Sequence, residues 1–152
     1  MVLFWIHDAK NMILVTGGAG FIGANFVLDW LREPKAEGVI NLDKLTYAGN
    51  LATLDSLKSD SRHVFVHGDI RDQELVTRLL REYQPRAIVN FAAESHVDRS
   101  IHGPAEFIET NIIGTFHLLE CARLIGKTFQ RASKRTFVFI MFQPMRYLDR
   151  SR

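Results

Sequence analysis

Ile13-Leu14-Val15-Thr16-Gly17-Gly18-Ala19-Gly20-Phe21-Ile22-Gly23 is the stretch whose reading decides the fold. Four apolar or β-branched residues run into a glycine turn, and the glycines at 17, 20 and 23 stand in a G-x-x-G-x-x-G spacing. Glycine turns the backbone where a Cβ would clash. A helix that starts just after the turn aims its free N–H groups and positive dipole end at an anion, the arrangement that holds a dinucleotide pyrophosphate. The third glycine lets that helix pack closely on the strand. Such a motif is weak alone, and its surroundings carry the reading. Phe26, Val27, Trp30 and Leu31 share one helical face, and a second apolar run, Val39-Ile40-Asn41-Leu42, ends at Asp43. An acid there is placed to accept hydrogen bonds from an adenosine ribose, which favours NAD over NADP. Lys44 next to it leaves open a meeting with a 2′-phosphate. The plain alternative is a glycine-rich surface turn, with Asp43 a solvated strand-end residue.

The chain has 152 residues, enough for one domain with a sizeable core. Hydrophobic residues make up 47% of it and mean hydropathy is -0.02, as in a soluble globular chain. The apolar runs are far shorter than a membrane span, so no membrane partner is expected. Residues 1–6 lack a basic leader and a small-residue cleavage site, so no secretory signal is expected. Cys121 is the single cysteine and lies in an apolar helical pattern. It reads as a small core residue in a reducing, cytoplasmic compartment. Nineteen Lys and Arg against 17 Asp and Glu give +2. From Lys127 onward there are seven basic residues and one acid, Asp149, or +6; the remaining 12 basic and 16 acidic residues give −4 for the body. The basic character belongs to the tail, and the body argues against a nucleic-acid footprint.

Strands and helices alternate after residue 12, which predicts an α/β, Rossmann-like, doubly wound parallel sheet. Strands are expected at 12–16, 38–42, 64–67 and 87–93, and helices at 21–32, 73–83 and about 105–124. Between Thr46 and Leu57 a loop and short helix are expected, with Leu51, Leu54 and Leu57 three apart. Ligands of such sheets gather at the carboxyl ends of the strands. Those ends are Gly17 to Gly23, Asp43, Asp69 and Ala92 to Ser95. Asp69-Ile70 can flank an adenine, the acid taking the amine and Ile70 the ring; the alternative makes Asp69 a cap on helix 72–83. Glu94-Ser95-His96-Val97-Asp98-Arg99-Ser100 is a second polar cluster. Its Ser, His and Asp are too close in sequence for a hydrolase triad and follow no nucleophile elbow. His67 and His96 have no metal-ligand spacing. A loop lining a cofactor and substrate cleft is the better account, although Asp98-Arg99 reads equally as an internal ion pair.

The strings ILVTGGAGFIGANFV, NLDKLTYAGNL, VHGDIRD, NFAAESHVDRSIHGPAEFIETNIIGT and LLECAR resemble the extended short-chain dehydrogenase/reductase superfamily. Within it they look like the dTDP-glucose 4,6-dehydratase family. DKLTYAGN and AAESHVDRSI are the specific segments. The resemblance covers about residues 12–124 and implies the following site. Gly17, Gly20 and Gly23 form the turn, and Phe21 and Ile22 touch the NAD pyrophosphate. Asp43, Lys44, Leu45 and Thr46 line the adenosine ribose, and Asp69 with Ile70 the adenine. Phe91, Ala92, Ala93, Glu94 and Ser95 run beneath the nicotinamide half. Ser95 also reaches the nucleotide-sugar substrate, and Thr110 completes the NAD site. The family reaction implied is oxidation of dTDP-glucose at C4, loss of water across C5 and C6, and return of the hydride at C6. A homodimer through two long helices, one at about 105–124, is implied as well.

That chemistry needs a Tyr-x-x-x-Lys pair and a Thr-Asp-Glu stretch. Neither occurs: the tyrosines are Tyr47, Tyr83 and Tyr147, and residues 51, 87 and 151 are Leu, Ala and Ser. No catalytic residue is therefore assigned. The expected organisation is an upstream extension at 1–11, an incomplete NAD-binding domain at 12–124 and a divergent basic tail at 125–152. Codons for Thr136 through Arg150, read one base out, permit FRFHHVSTDEVFGS, and its Asp-Glu-Val follows from nearly fixed bases. An out-of-frame tail and an inactive, truncated chain are the expectation. Apolar tail residues such as Phe137, Phe139 and Ile140 are candidates for a strand covering the exposed sheet edge. Two rivals remain: a stand-alone NAD-binding module with a basic interaction tail, and part of a UDP-sugar epimerase or decarboxylase.

Overall fold

Every residue of β1 (Met12–Thr16) is buried, because this strand sits at the centre of the sheet with packed layers on both faces. The structure is a computed structural model that describes residues 12–95, 104–133 and 138–142, the side chains of 126–133 excepted. The other strands are β2 (Gly38–Asp43), β3 (His63–His67), β4 (Ala87–Asn90) and β5 (Val138–Met141). All pairings are parallel and the order is β3-β2-β1-β4-β5. Side chains alternate across a strand, so β1 feeds two cores. Leu14, with Ile40, Leu42 and Ile88, packs under α2 (Gln73–Tyr83) and a long helix, α3 (residues 104–133), through Val76, Leu80 and Leu118. Ile13 and Val15, with Val39 and Val89, pack under α1 (Phe21–Arg32) through Val27 and Leu31. A 3₁₀ helix at Leu51–Leu57 closes this second layer with Leu54 and Leu57. Its three-residue leucine spacing suits a helix of three residues per turn.

The parallel doubly wound architecture and the bounds of α1 and α2 match the sequence reading. Two elements differ. β4 ends at Asn90 rather than running to Ala93. Its partner β1 stops at Thr16, where Thr16 Oγ1 donates to Asn90 Oδ1 at 2.5 Å, and beyond it the glycine turn takes the space. The helix expected at 105–124 is α3, which is α-helical at Pro104–Ile108, widens to a π-helix at Glu109–Gly114 and continues α-helical at Thr115–Ser133. The candidate edge strand is present as β5, which covers the outer edge of β4 with Phe139 turned into the first core. An open edge presents unpaired N–H and C=O groups to any apolar extended segment, and residues 138–141 supply one. Cys121 is 5% exposed and receives a hydrogen bond from Thr77 Oγ1 at 3.4 Å, as expected of a packed thiol. Residues 1–11 and 143–152, Phe137, and His96 through Gly103 lie outside the described residues. Among the described residues no helix is long and apolar enough to cross a membrane.

Candidate functional site

Strand order reverses at β1, between β2 and β4, and a cleft opens there at the carboxyl ends of the strands. Its floor is the glycine turn. Gly17 has φ +70, and a Cβ on it would lie 2.5 Å from the Ala92 nitrogen. A Cβ on Gly23 would lie 2.2 Å from the Gly17 carbonyl oxygen, so the first turn of α1 rests on the glycine turn itself. Gly20 is different: its Cβ would meet only the Gly17 oxygen, at 3.3 Å, so its missing side chain leaves room above the turn. Gly20 precedes α1 without any side-chain cap. The first N–H groups of that helix are thus left for an acceptor from outside. Phe21 and Ile22 are strongly exposed beside it. Beneath the turn lies Asn41, fully buried, whose Oδ1 would stand 2.2 Å from a Cβ on Gly18. The glycine at 18, outside the motif spacing, is required by that buried amide.

Asp43 is 8% exposed at the end of β2. Its Oδ2 accepts the Ala19 N–H at 2.8 Å and its Oδ1 accepts the Leu45 N–H at 2.7 Å. The carboxylate therefore ties the glycine turn to the β2 exit, where Leu45 is held at φ 55. Each oxygen keeps a second lone pair for a hydroxyl donor. Lys44 reaches across to Asp69, with Nζ 3.0 Å from Oδ2. Arg71 grips the same oxygen with Nη2 at 2.8 Å and Nε at 2.9 Å, and its backbone N–H donates to Asp69 Oδ1 at 3.0 Å. Burial pushes the Asp69 carboxyl up, but the hydrogen bonds from Arg71 and Lys44 outweigh it and hold the group below the ordinary carboxylate range. Asp69 does not cap α2. That position belongs to Asp72, whose Oδ1 accepts the Leu75 N–H at 2.9 Å.

On the far wall, Phe91 through Glu94 continue from β4. Asn111, inside the π-helical turn, braces them: its Oδ1 accepts the Glu94 N–H and its Nδ2 donates to the Glu94 carbonyl, both at 2.8 Å. A π-turn inserts a residue into the helical ladder and reorients the side chains there, which turns Asn111 to the loop and Thr110 to the cleft. The cleft is lined by Gly17, Gly20, Asp43, Lys44, Thr46, Asp69, Ile70, Phe91, Ala92, Ala93, Glu94 and Thr110. Phe21, Ile22, Gly23, Leu45 and Ser95, also singled out from the sequence, border it without lining it. Ile70 is 4% exposed and belongs to the first core, close under Gly114. Leu42, Ala48, Gly49, Gly68 and Glu106 line the cleft as well and were not singled out. Gly68 had a legible signal, standing just past the end of β3; Gly49 and Glu106 had none.

Fold and cleft together define a Rossmann-like α/β domain with its ligand groove at the topological switch point. The sequence profile of the GDP-mannose 4,6 dehydratase family matches residues 14–140, past Leu124 and into β5. The chain belongs to that family. The dTDP-glucose 4,6-dehydratase of Xanthomonas campestris pv. campestris strain B100 is 58% identical over 127 residues, which are 84% of this chain and 36% of that protein. The crystal structure of DesIV, a dTDP-glucose 4,6-dehydratase from Streptomyces venezuelae with NAD and TYD bound, superposes with a TM-score of 0.72. It is 55% identical over 76% of this chain and 36% of that one. UDP-glucose 4-epimerase from Thermotoga maritima with UDP-glucose gives a TM-score of 0.69 at 35% identity, over 86% of this chain and 37% of its own. The chain thus spans about a third of the length of the relatives it matches.

Proposed function

We propose that this chain is the NAD-binding part of a dTDP-glucose 4,6-dehydratase. The observation that carries the reading is the cleft itself: an uncapped helix start over a side-chain-free turn, with a buried acid at the end of β2. These features fit the cofactor. The turn and the first N–H groups of α1 hold the pyrophosphate, Asp43 takes the ribose hydroxyls, and Asp69 with Ile70 takes the adenine. Phe91 through Ser95 and Thr110 line the nicotinamide half, and Ser95 contacts the nucleotide sugar. NAD, when bound, supplies the acceptor for the hydride from C4 of the sugar. Lys44 is drawn to Asp69, which it shares with Arg71, and a 2′-phosphate would crowd the Asp43 carboxylate, so NAD is preferred over NADP.

The epimerase reading is weaker, because identity to the dehydratases is much the higher. The chain's residues bind and orient, while the Tyr-x-x-x-Lys pair and the Thr-Asp-Glu stretch that the family reaction needs do not occur in its sequence. The purified 152-residue chain is expected to bind NAD and to release no 4-keto-6-deoxy product from dTDP-glucose; measurable product would overturn the second half of that statement. An out-of-frame origin for residues from about 125–135 onward is read directly from the coding DNA. It requires bases encoding Ser-Thr-Asp-Glu-Val in the shifted frame, and their absence excludes it.

Residues 1–11 remain an upstream extension in this reading, and the buried Cys121 thiol suits a reducing cytoplasm. A homodimer is supported by Ile108, Ile112, Phe116 and Leu119, an exposed apolar stripe at helical spacing along α3. Sedimentation at micromolar concentration should show a dimer that Phe116→Glu dissociates, and an unchanged monomer would remove the stripe from the interface.

A further inference from the structure

The β2 exit and the β4 exit form opposite walls of the cleft, with β1 and its glycine turn between them. The two walls touch. Tyr47, which stands between the lining residues Thr46 and Ala48 of the first, donates its Oη–H to Glu94 Oε1, on the second, at 2.5 Å. Each end of this bridge is anchored separately. The Glu94 backbone is clamped by the Asn111 amide from α3. The loop bearing Tyr47 is closed by Gly49 N–H to the Thr46 carbonyl at 2.9 Å and tied to the glycine turn by Asn50 N–H to the Ala19 carbonyl at 2.9 Å. The bridge is therefore a fixed crossing between loops that come from non-adjacent strands.

We propose that Tyr47 and Glu94 form a strap that gates the entry and release of a dinucleotide. The inference rests on the NAD reading of the cleft. A molecule with one end at Asp43 and Asp69 and the other along Phe91–Glu94 has to pass between the two walls, and so across the bridge. A mononucleotide seated at Asp43 and Asp69 does not. The strap is thus a positioning device whose mark is kinetic: it slows association and dissociation of the long ligand together. It leaves the affinity nearly unchanged, because the same bond closes over the empty and the filled cleft.

The test is stopped-flow binding of NAD and of AMP to the 152-residue chain, to Tyr47→Phe and to Glu94→Ala. Tyr47→Phe should raise both NAD rate constants about fivefold, the worth of one exposed hydrogen bond to a carboxylate, with Kd inside about twofold and AMP kinetics unchanged. Glu94→Ala, which removes the same bond from its other end, should also raise both NAD rate constants. Unchanged NAD rates in Tyr47→Phe overturn the strap. Equal weakening of NAD and AMP also overturns it, because Tyr47 then only shapes the adenosine end. Failure of the unmodified chain to bind NAD overturns the reading of the cleft itself, an outcome that no variant is needed to recognise.

Discussion

Gly23→Ala will cost about 2–3 kcal/mol of stability, the size of an overpacking defect that the backbone has to relieve. The added methyl would stand 2.2 Å from the Gly17 carbonyl oxygen and 2.8 Å from the Gly18 Cα, all backbone with no rotamer to yield. Helix α1 must back away from the turn, and Val27 and Leu31, which seal the second core, move with it. The turn then loses its shape, so NAD binding should fall along with stability. Gly20→Ala separates the two effects. Its methyl meets only one oxygen, at 3.3 Å, and the residue has ordinary extended dihedrals. The loss of stability should stay under about 1 kcal/mol, as for a poorer residue at a helix start, while NAD affinity drops because the methyl fills the room left for the ligand. Urea unfolding beside NAD titration distinguishes them. Equal stability losses in the two variants would show that the turn does not divide into a packed glycine and an open one.

Asp43→Asn is expected to damage both fold and site through a single atom pair. The carboxylate accepts from two backbone N–H groups, one on each oxygen. An amide has one oxygen, so either Ala19 or Leu45 would face an NH₂ donor instead of an acceptor. A buried donor left without a partner costs about 1–3 kcal/mol. If the Leu45 bond is lost, its left-handed conformation loses its support, and the Thr46–Gly49 wall shifts with it. NAD affinity should fall about tenfold to a hundredfold, because a ribose hydroxyl bonded to a neutral amide gains less than one bonded to a carboxylate. Asp43→Ala should be worse in stability, with both N–H groups orphaned. A variant that melts and binds like the unmodified chain would show that Asp43 is neither tie nor ligand.

Most of the fold was legible because a central parallel strand has to be apolar on both faces, and the runs at 13–15 and 87–89 are, as is that at 39–42 apart from Asn41. The position of the cleft followed from strand ends alone. Less legible was what requires a third residue to see. That Gly18 is needed depends on Asn41 of the neighbouring strand β2, and the second duty of Asp43 depends on where Ala19 comes to rest. The sequence placed Thr110 in the site through resemblance, whereas the π-turn that brings Asn111 to the Glu94 backbone has no periodicity to betray it. Lys44 read ambiguously against a 2′-phosphate; its ion pair with Asp69 joins two loops from different strands, which no local pattern shows. The strand at 138–141 was within reach of sequence reasoning, since an open edge beside β4 and an apolar segment were both apparent.

The central claim is that this cleft binds NAD through its adenosine half. Calorimetric titration of the purified chain with NAD and, separately, with NADP tests it most directly. Saturable one-to-one binding of NAD, with NADP at least about tenfold weaker because its 2′-phosphate would crowd the Asp43 carboxylate, is the predicted result. No heat with either ligand, or NADP binding as tightly as NAD, would contradict it.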